Sequence, residues 1–163
     1  MELLEKISVF LNRSLSWIGG VFLVGMIVLT CGNIVFRLVW VPIRGTFELM
    51  GYFGAIVTAF ALGYTQMKRG HIAVDVLVNT FSDKRRKVVD TINYTVCFLF
   101  FGVAAWQIAI KATTLMNTGE ITETLRIIYY PFTYGVALGC AVLSLVLFTD
   151  LIKSFITKKE GND

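Results

Sequence analysis

LSWIGGVFLVGMIVLTCGNIVF (Leu15–Phe36) runs from end to end without a charged side chain. Wound as an α-helix at 1.5 Å per residue it is about 33 Å long, enough to cross a hydrocarbon core of ~30 Å. Three more nearly uncharged stretches follow, at about 48–67, 88–110 and 127–149, so with the first at about 15–36 the sequence predicts four membrane-spanning helices. Composition agrees: 56% of the 163 residues are hydrophobic, 16% are charged, and mean hydropathy is +0.71. That leaves too little polar surface for a water-soluble globule. The expected fold class is an all-α integral membrane protein, one membrane domain over residues 1–163. The first span is longer than the apolar core of a secretory signal, and no A-x-A-like site follows it. Thr30 also fits poorly before Cys31 as a lipoprotein box, so a retained helix is expected.

Charge sets the orientation. Eleven of the fifteen Lys and Arg residues fall in the amino-terminal segment, the middle loop and the carboxy-terminal tail. Only Arg37, Arg44, Lys111 and Arg126 fall in the other two loops. The positive-inside rule therefore puts both termini and the middle loop in the cytoplasm. The same bias accounts for the net charge of +4 as flanks facing anionic lipid headgroups, and basic residues split by membrane spans do not make a nucleic-acid surface. Cys31, Cys97 and Cys140 lie in three different spans with no C-x-x-C spacing, which reads as small apolar packing rather than a disulfide framework.

Two segments outside the spans have helical periodicity. At about 2–14, leading into the first span, Leu3, Leu4, Ile7, Phe10, Leu11, Leu15 and Ile18 share one face, opposite Glu2, Glu5, Lys6, Asn12 and Arg13. An interfacial helix is expected there, with Trp17 at headgroup level. In the middle loop, QMKRGHIAVDVL (Gln66–Leu77) is too short to span and too apolar for a free loop. A second flat-lying helix is expected at about 72–82, with His71, Asp75, Asn79 and Ser82 on its polar side.

A solute path needs ionisable or coordinating groups at mid-membrane depth, because a bare ion there is costly. The central parts of all four predicted spans contain no Asp, Glu, Lys, Arg or His, and no pair of broken helices marks a midplane site. His71 is the only histidine, too few for a haem or a zinc site, so no cofactor, no metal and no enzymatic activity are expected. Two packing rows do stand out. Gly51, Ala55, Ala59 and Gly63 recur every fourth residue in the second span, and Gly135 and Gly139 repeat the spacing in the fourth. Such rows let helix backbones approach closely, either within the chain or against a partner. At the edge of the first hairpin, Arg37, Arg44 and Glu48 suggest snorkelling or a salt bridge. Glu120, Glu123 and Arg126 lie in a polar loop open to a docking protein.

Several segments together resemble a known family. The first span ends NIVFR (Asn33–Arg37), followed by Pro42 and Glu48. Next comes ALGYTQMKRGHIAVDVL (Ala61–Leu77), a small-residue helix followed by Lys68, Arg69, Gly70 and an H-I-x-V-D pattern containing His71 and Asp75. TGEITETLRIIYYPFTYGVALG (Thr118–Gly139) completes the match. The chain resembles the small, DctQ-like membrane subunit of tripartite ATP-independent periplasmic (TRAP) transporters. One departure is YYP (Tyr129–Pro131), where the family pattern places the proline closer to Leu125.

The resemblance implies a bacterial inner-membrane subunit paired one-to-one with a large membrane subunit that holds the substrate and sodium sites. A periplasmic binding protein would deliver a carboxylate-bearing solute, a dicarboxylate or sialic acid. It also implies that Lys68, Arg69, His71 and Asp75 form a cytoplasmic turn rather than a metal site. The rival reading is a stand-alone homodimeric exporter, for which Glu48 is the only acidic contender.

Overall fold

The computed structural model describes residues 2–68 and 83–160. They form four helices: α1 (Glu2–Val39), α2 (Thr46–Met67), α3 (Asp83–Thr118) and α4 (Tyr130–Glu160). Each is long and apolar enough to cross a membrane, and no strand occurs among the described residues. Successive helices run in opposite directions, so Glu2, Met67, Asp83 and Glu160 lie at one end, the terminal end. The 40–45 and 119–129 connections lie at the other, the loop end. The expected middle-loop helix at 72–82, with Arg69, His71 and Asp75, lies outside the described residues.

The helices form an open row rather than a square bundle. α4 packs against α3 on one side and α2 on the other; α1 packs on α2 and touches α4 only lightly. Burial follows that order. Half of the apolar stretch of α4 is buried, against 28% for α2, 11% for α3 and 6% for α1. The shared core is Leu15, Ile56, Ala59, Phe60 and Val142, with Leu11, Phe22, Phe132 and Val136 packed around it. Because lipid is as apolar as leucine, this core holds by close van der Waals fit rather than by escape from water.

Small residues make that fit possible. A Cβ added at Gly139 would meet the Ala59 carbonyl oxygen at 2.7 Å and its Cβ at 2.8 Å, so the backbones of α2 and α4 are in contact there. Gly135 takes the Ile56 side chain, and Gly19 of α1 takes the Cβ of Phe60. A few polar links cross between helices. Ser144 Oγ donates to the Phe98 carbonyl at 3.3 Å, and the Thr113 and Tyr134 hydroxyls lie 2.9 Å apart.

The amino-terminal segment corrects the sequence reading in two respects. It is helical, but it continues without a break into the first span, giving one helix of 38 residues, about 57 Å long. One residue of the polar face also turns inward. Asn12, expected on the solvent side, is 1% exposed, whereas Phe10 is 70% exposed. Ser8, Asn12, Leu15 and Gly19 face inward, at helical spacing, and Asn12 sits against Gly63 of α2. Steric fit explains Asn12: its side chain fills the space that a Cβ at Gly63 would take, and the outer surface of a membrane protein accepts phenylalanine readily.

Candidate functional site

At the loop end the two connections are fastened to each other through Glu48, in the first turn of α2. One carboxylate oxygen accepts the Thr124 amide at 2.7 Å and the other the Leu125 amide at 3.2 Å. The expected salt bridge to Arg37 or Arg44 is thus replaced by a clamp on backbone N–H groups, which suits a carboxylate with two acceptor oxygens. Gly45 lets the loops meet. Its φ of 72° is left-handed, and a side chain there would overlap Leu125, so glycine is required on two counts. Asn33 Oδ1 accepts the Ile43 amide at 2.9 Å, and Thr46 Oγ1 donates to the Ile43 carbonyl at 2.8 Å, which fixes the first connection from within.

The second connection has its own frame. α3 stops at Gly119 (φ 65°), whose N–H returns to the Leu115 carbonyl at 3.1 Å, a left-handed helix cap. Thr122 is the hub. Its N–H donates to the Ile127 carbonyl, its carbonyl accepts the Arg126 amide, and its hydroxyl accepts the Ile127 amide. Arg126, at φ 54°, closes the turn in a conformation side chains seldom adopt. Glu123 is exposed, while Glu120 accepts the Tyr129 hydroxyl at 2.7 Å. That hydrogen bond holds the phenol protonated and raises the Tyr129 pKa above its ordinary 10.0, with desolvation adding to it. Tyr129 stacks on Tyr52, which stacks on Phe132, and Phe53 joins Phe132 to Phe22. An aromatic chain therefore runs from the loop down to α1. Pro131 sits in the first turn of α4, where a missing N–H is harmless.

The four-residue row on α2 does not face one way. Ala59 and Gly63 are buried against Gly139 and Asn12, while Gly51 and Ala55 are exposed on the outer face of α2, with nothing within contact of Gly51. At the terminal end, Gln66 Nε2 donates to Asp150 Oδ2 at 3.3 Å, tying α2 to α4, and Lys68 Nζ lies 5.9 Å from the centre of the Tyr64 ring. Neither Asn12 nor Asp150 stood out in the sequence. Their only sign was position, Asn12 between Ser8 and Ser16 at fourfold spacing and Asp150 one residue past a predicted span.

Several hydroxyls along the described spans bond back to their own helices. The hydroxyls of Thr30, Thr65, Thr95, Thr114 and Thr149 each donate to a carbonyl one turn earlier in their own helix. No group of His, Cys, Asp or Glu able to hold a metal occurs among the described residues. The three cysteines are free.

Residues 26–157 match the family described as tripartite ATP-independent periplasmic transporters, DctQ component. The chain belongs to the DctQ family. The matched region runs from the middle of α1 almost to the end of α4, so it includes the Glu48 clamp, the α2–α4 contact and the 69–82 connection. No curated protein and no solved structure matches the chain. As a DctQ component it is a multi-pass membrane part of a TRAP transporter, a family of transporter subunits rather than enzymes.

Proposed function

We propose that this DctQ chain is the small accessory subunit of a sodium-coupled secondary transporter that imports carboxylate-bearing solutes, dicarboxylates or sialic acid. It pairs one-to-one with a large membrane subunit that holds the substrate and sodium sites, and it braces the static scaffold of that subunit. The periplasmic binding protein docks transiently at the loop end, where Arg44, Glu120, Glu123 and Arg126 are exposed. The chain sits in the bacterial inner membrane with both termini cytoplasmic. In this reading His71 and Asp75, with Lys68 and Arg69, hold the cytoplasmic turn or touch the large subunit. His71→Ala then lowers the yield of complex without changing which solute is carried.

The observation that carries this reading is the open row of helices. Its broad sides display large apolar residues, and its spans hold no ionisable group at mid-depth. A chain of that kind has surface for a partner and no machinery to move a charged solute alone. The exporter reading needs an available carboxylate, and both oxygens of Glu48 already hold loop amides. The test is copurification of the tagged chain in mild detergent from its native cell, with mass spectrometry of what accompanies it. A stoichiometric large membrane protein, and a more weakly held solute receptor, is the expected result. A homogeneous self-dimer that transports solute after reconstitution would overturn the reading.

A further inference from the structure

At the terminal end, α1 and α2 together line a groove of about 840 Å³, within the size range of ligand sites in proteins. Its rim carries Arg13 and Lys68, one from each helix, together with Trp17 and Tyr64. Its floor is apolar, descending α1 past Gly20 and Val21 to Val24. We propose that this groove holds one anionic phospholipid, with its phosphate between Arg13 and Lys68 and one acyl chain laid along Gly20, Val21 and Val24.

Depth, charge and access all support this occupant. From Arg13 to Val24 is about 16 Å of helix, half of a ~30 Å hydrocarbon core and so the depth of one leaflet. From Arg13 to Arg37 is about 36 Å, which sets these two arginines at opposite membrane faces and puts the groove's rim at headgroup level. Arg13 and Lys68 both line the groove, Lys68 Nζ lying 5.9 Å from the centre of the Tyr64 ring, and among the described residues no carboxylate pairs with either. The guanidinium fork suits phosphate oxygens, and the ammonium adds a point charge. Trp17 and Tyr64, 72% and 44% exposed, are the residue types that favour the interface, where one end of the ring is apolar and the other wet. Val21 and Val24 are open sideways to the bilayer, so a chain enters laterally. Gly20 has nothing within contact distance of where a side chain would stand, so the trough is empty at that point.

The test uses the full chain in mild detergent, titrated with phosphatidylglycerol or with phosphatidylcholine of the same acyl chains and followed by native mass spectrometry. One phosphatidylglycerol should be retained per chain, in preference to phosphatidylcholine. Arg13→Ala and Lys68→Ala should each weaken that retention about fivefold, the worth of one basic residue near an anionic surface. Arg13→Lys should keep most of it, and Lys111→Ala, which removes a charge at the other end, should change nothing. Gly20→Leu fills the trough without meeting any neighbour, so it should reduce retention of both lipids while leaving the melting temperature intact. A photoreactive residue at Val21 should crosslink to lipid in cells. The proposal is overturned if the two lipids are retained alike, if the charge variants or Gly20→Leu leave retention unchanged, or if glycerol 3-phosphate displaces the lipid. It is equally overturned if the Val21 crosslink goes to another protein chain.

Discussion

Gly139 offers the sharpest check on the packing. A Cβ there would stand 2.7 Å from the Ala59 carbonyl oxygen, against an ordinary contact of ~3.5 Å, so Gly139→Ala must push α4 away from α2 by roughly 0.8 Å. The obstacle is backbone on a rigid helix, which cannot rotate aside, and a gap of that size forfeits about a quarter to a half of each neighbouring contact. Overpacking of this kind costs about 1–3 kcal/mol, and a backbone obstacle belongs in the upper part of that range. Alanine also gains about 1 kcal/mol over glycine in helix propensity, which would mask the effect in a single variant. Gly20→Ala removes that ambiguity, because it has the same propensity gain and nothing within contact distance. Gly139→Ala should therefore melt about 4–12 °C below Gly20→Ala, taking ~2–3 kcal/mol between them and ~2–4 °C per kcal/mol for a chain of this size. The measurement is thermal unfolding of the purified chain, followed by tryptophan fluorescence and by size exclusion after heating. Gly135→Ala, opposed only by the rotatable end of Ile56, should fall between the two. If Gly139→Ala melts at or above Gly20→Ala, α2 and α4 do not meet as described.

Three predictions concern the loop end. Glu48→Ala should release the 119–129 connection, speeding hydrogen exchange at the Thr124 and Leu125 amides and proteolysis between them; unchanged protection would show that the clamp is unimportant. Gly45→Ala should weaken the same connection, because a left-handed residue with a Cβ costs about 1–2 kcal/mol and the new methyl also displaces Leu125. A melting temperature equal to the unmodified chain would refute it. The Tyr129–Glu120 hydrogen bond is complete below the ordinary tyrosine pKa of 10.0 and is lost as pH rises through the raised value in the folded chain. Glu120→Gln should therefore shift one tyrosine of the ultraviolet titration to lower pH, and an unaltered titration would mean that the two side chains do not meet.

How much of this was legible in the sequence depends on what kind of information each feature requires. The spans were legible, because a run such as Leu15–Phe36 has no other stable place, and the family was visible in Ala61–Leu77 and Thr118–Gly139. Which way each helix faces was not. In a chain surrounded by lipid, hydrophobicity does not separate inside from outside, so Asn12, read as part of the polar face of an interfacial helix, is buried against α2 instead. The α2 row divides between two faces for a geometric reason. At about 100° per residue, each fourth residue turns a further 40° or so, and Gly51 and Gly63 end up about 120° apart. One face cannot hold both. The Glu48 clamp was hidden because its partners are backbone amides some 76 positions away, and backbone groups leave no mark on a sequence. Asp150 was missed for its place at a span edge, where a carboxylate looks like ordinary solvation.

The open row also bears on how long the chain survives in a cell. With α1 and α3 as uncovered edges and only α2 and α4 flanked on both sides, the chain has little interior of its own, and its stability is tied by mass action to whatever covers its sides. Copies made in excess of their partner would open more readily and meet membrane proteases in that state. Its abundance would then be fixed by the supply of partner surface rather than by its own rate of synthesis.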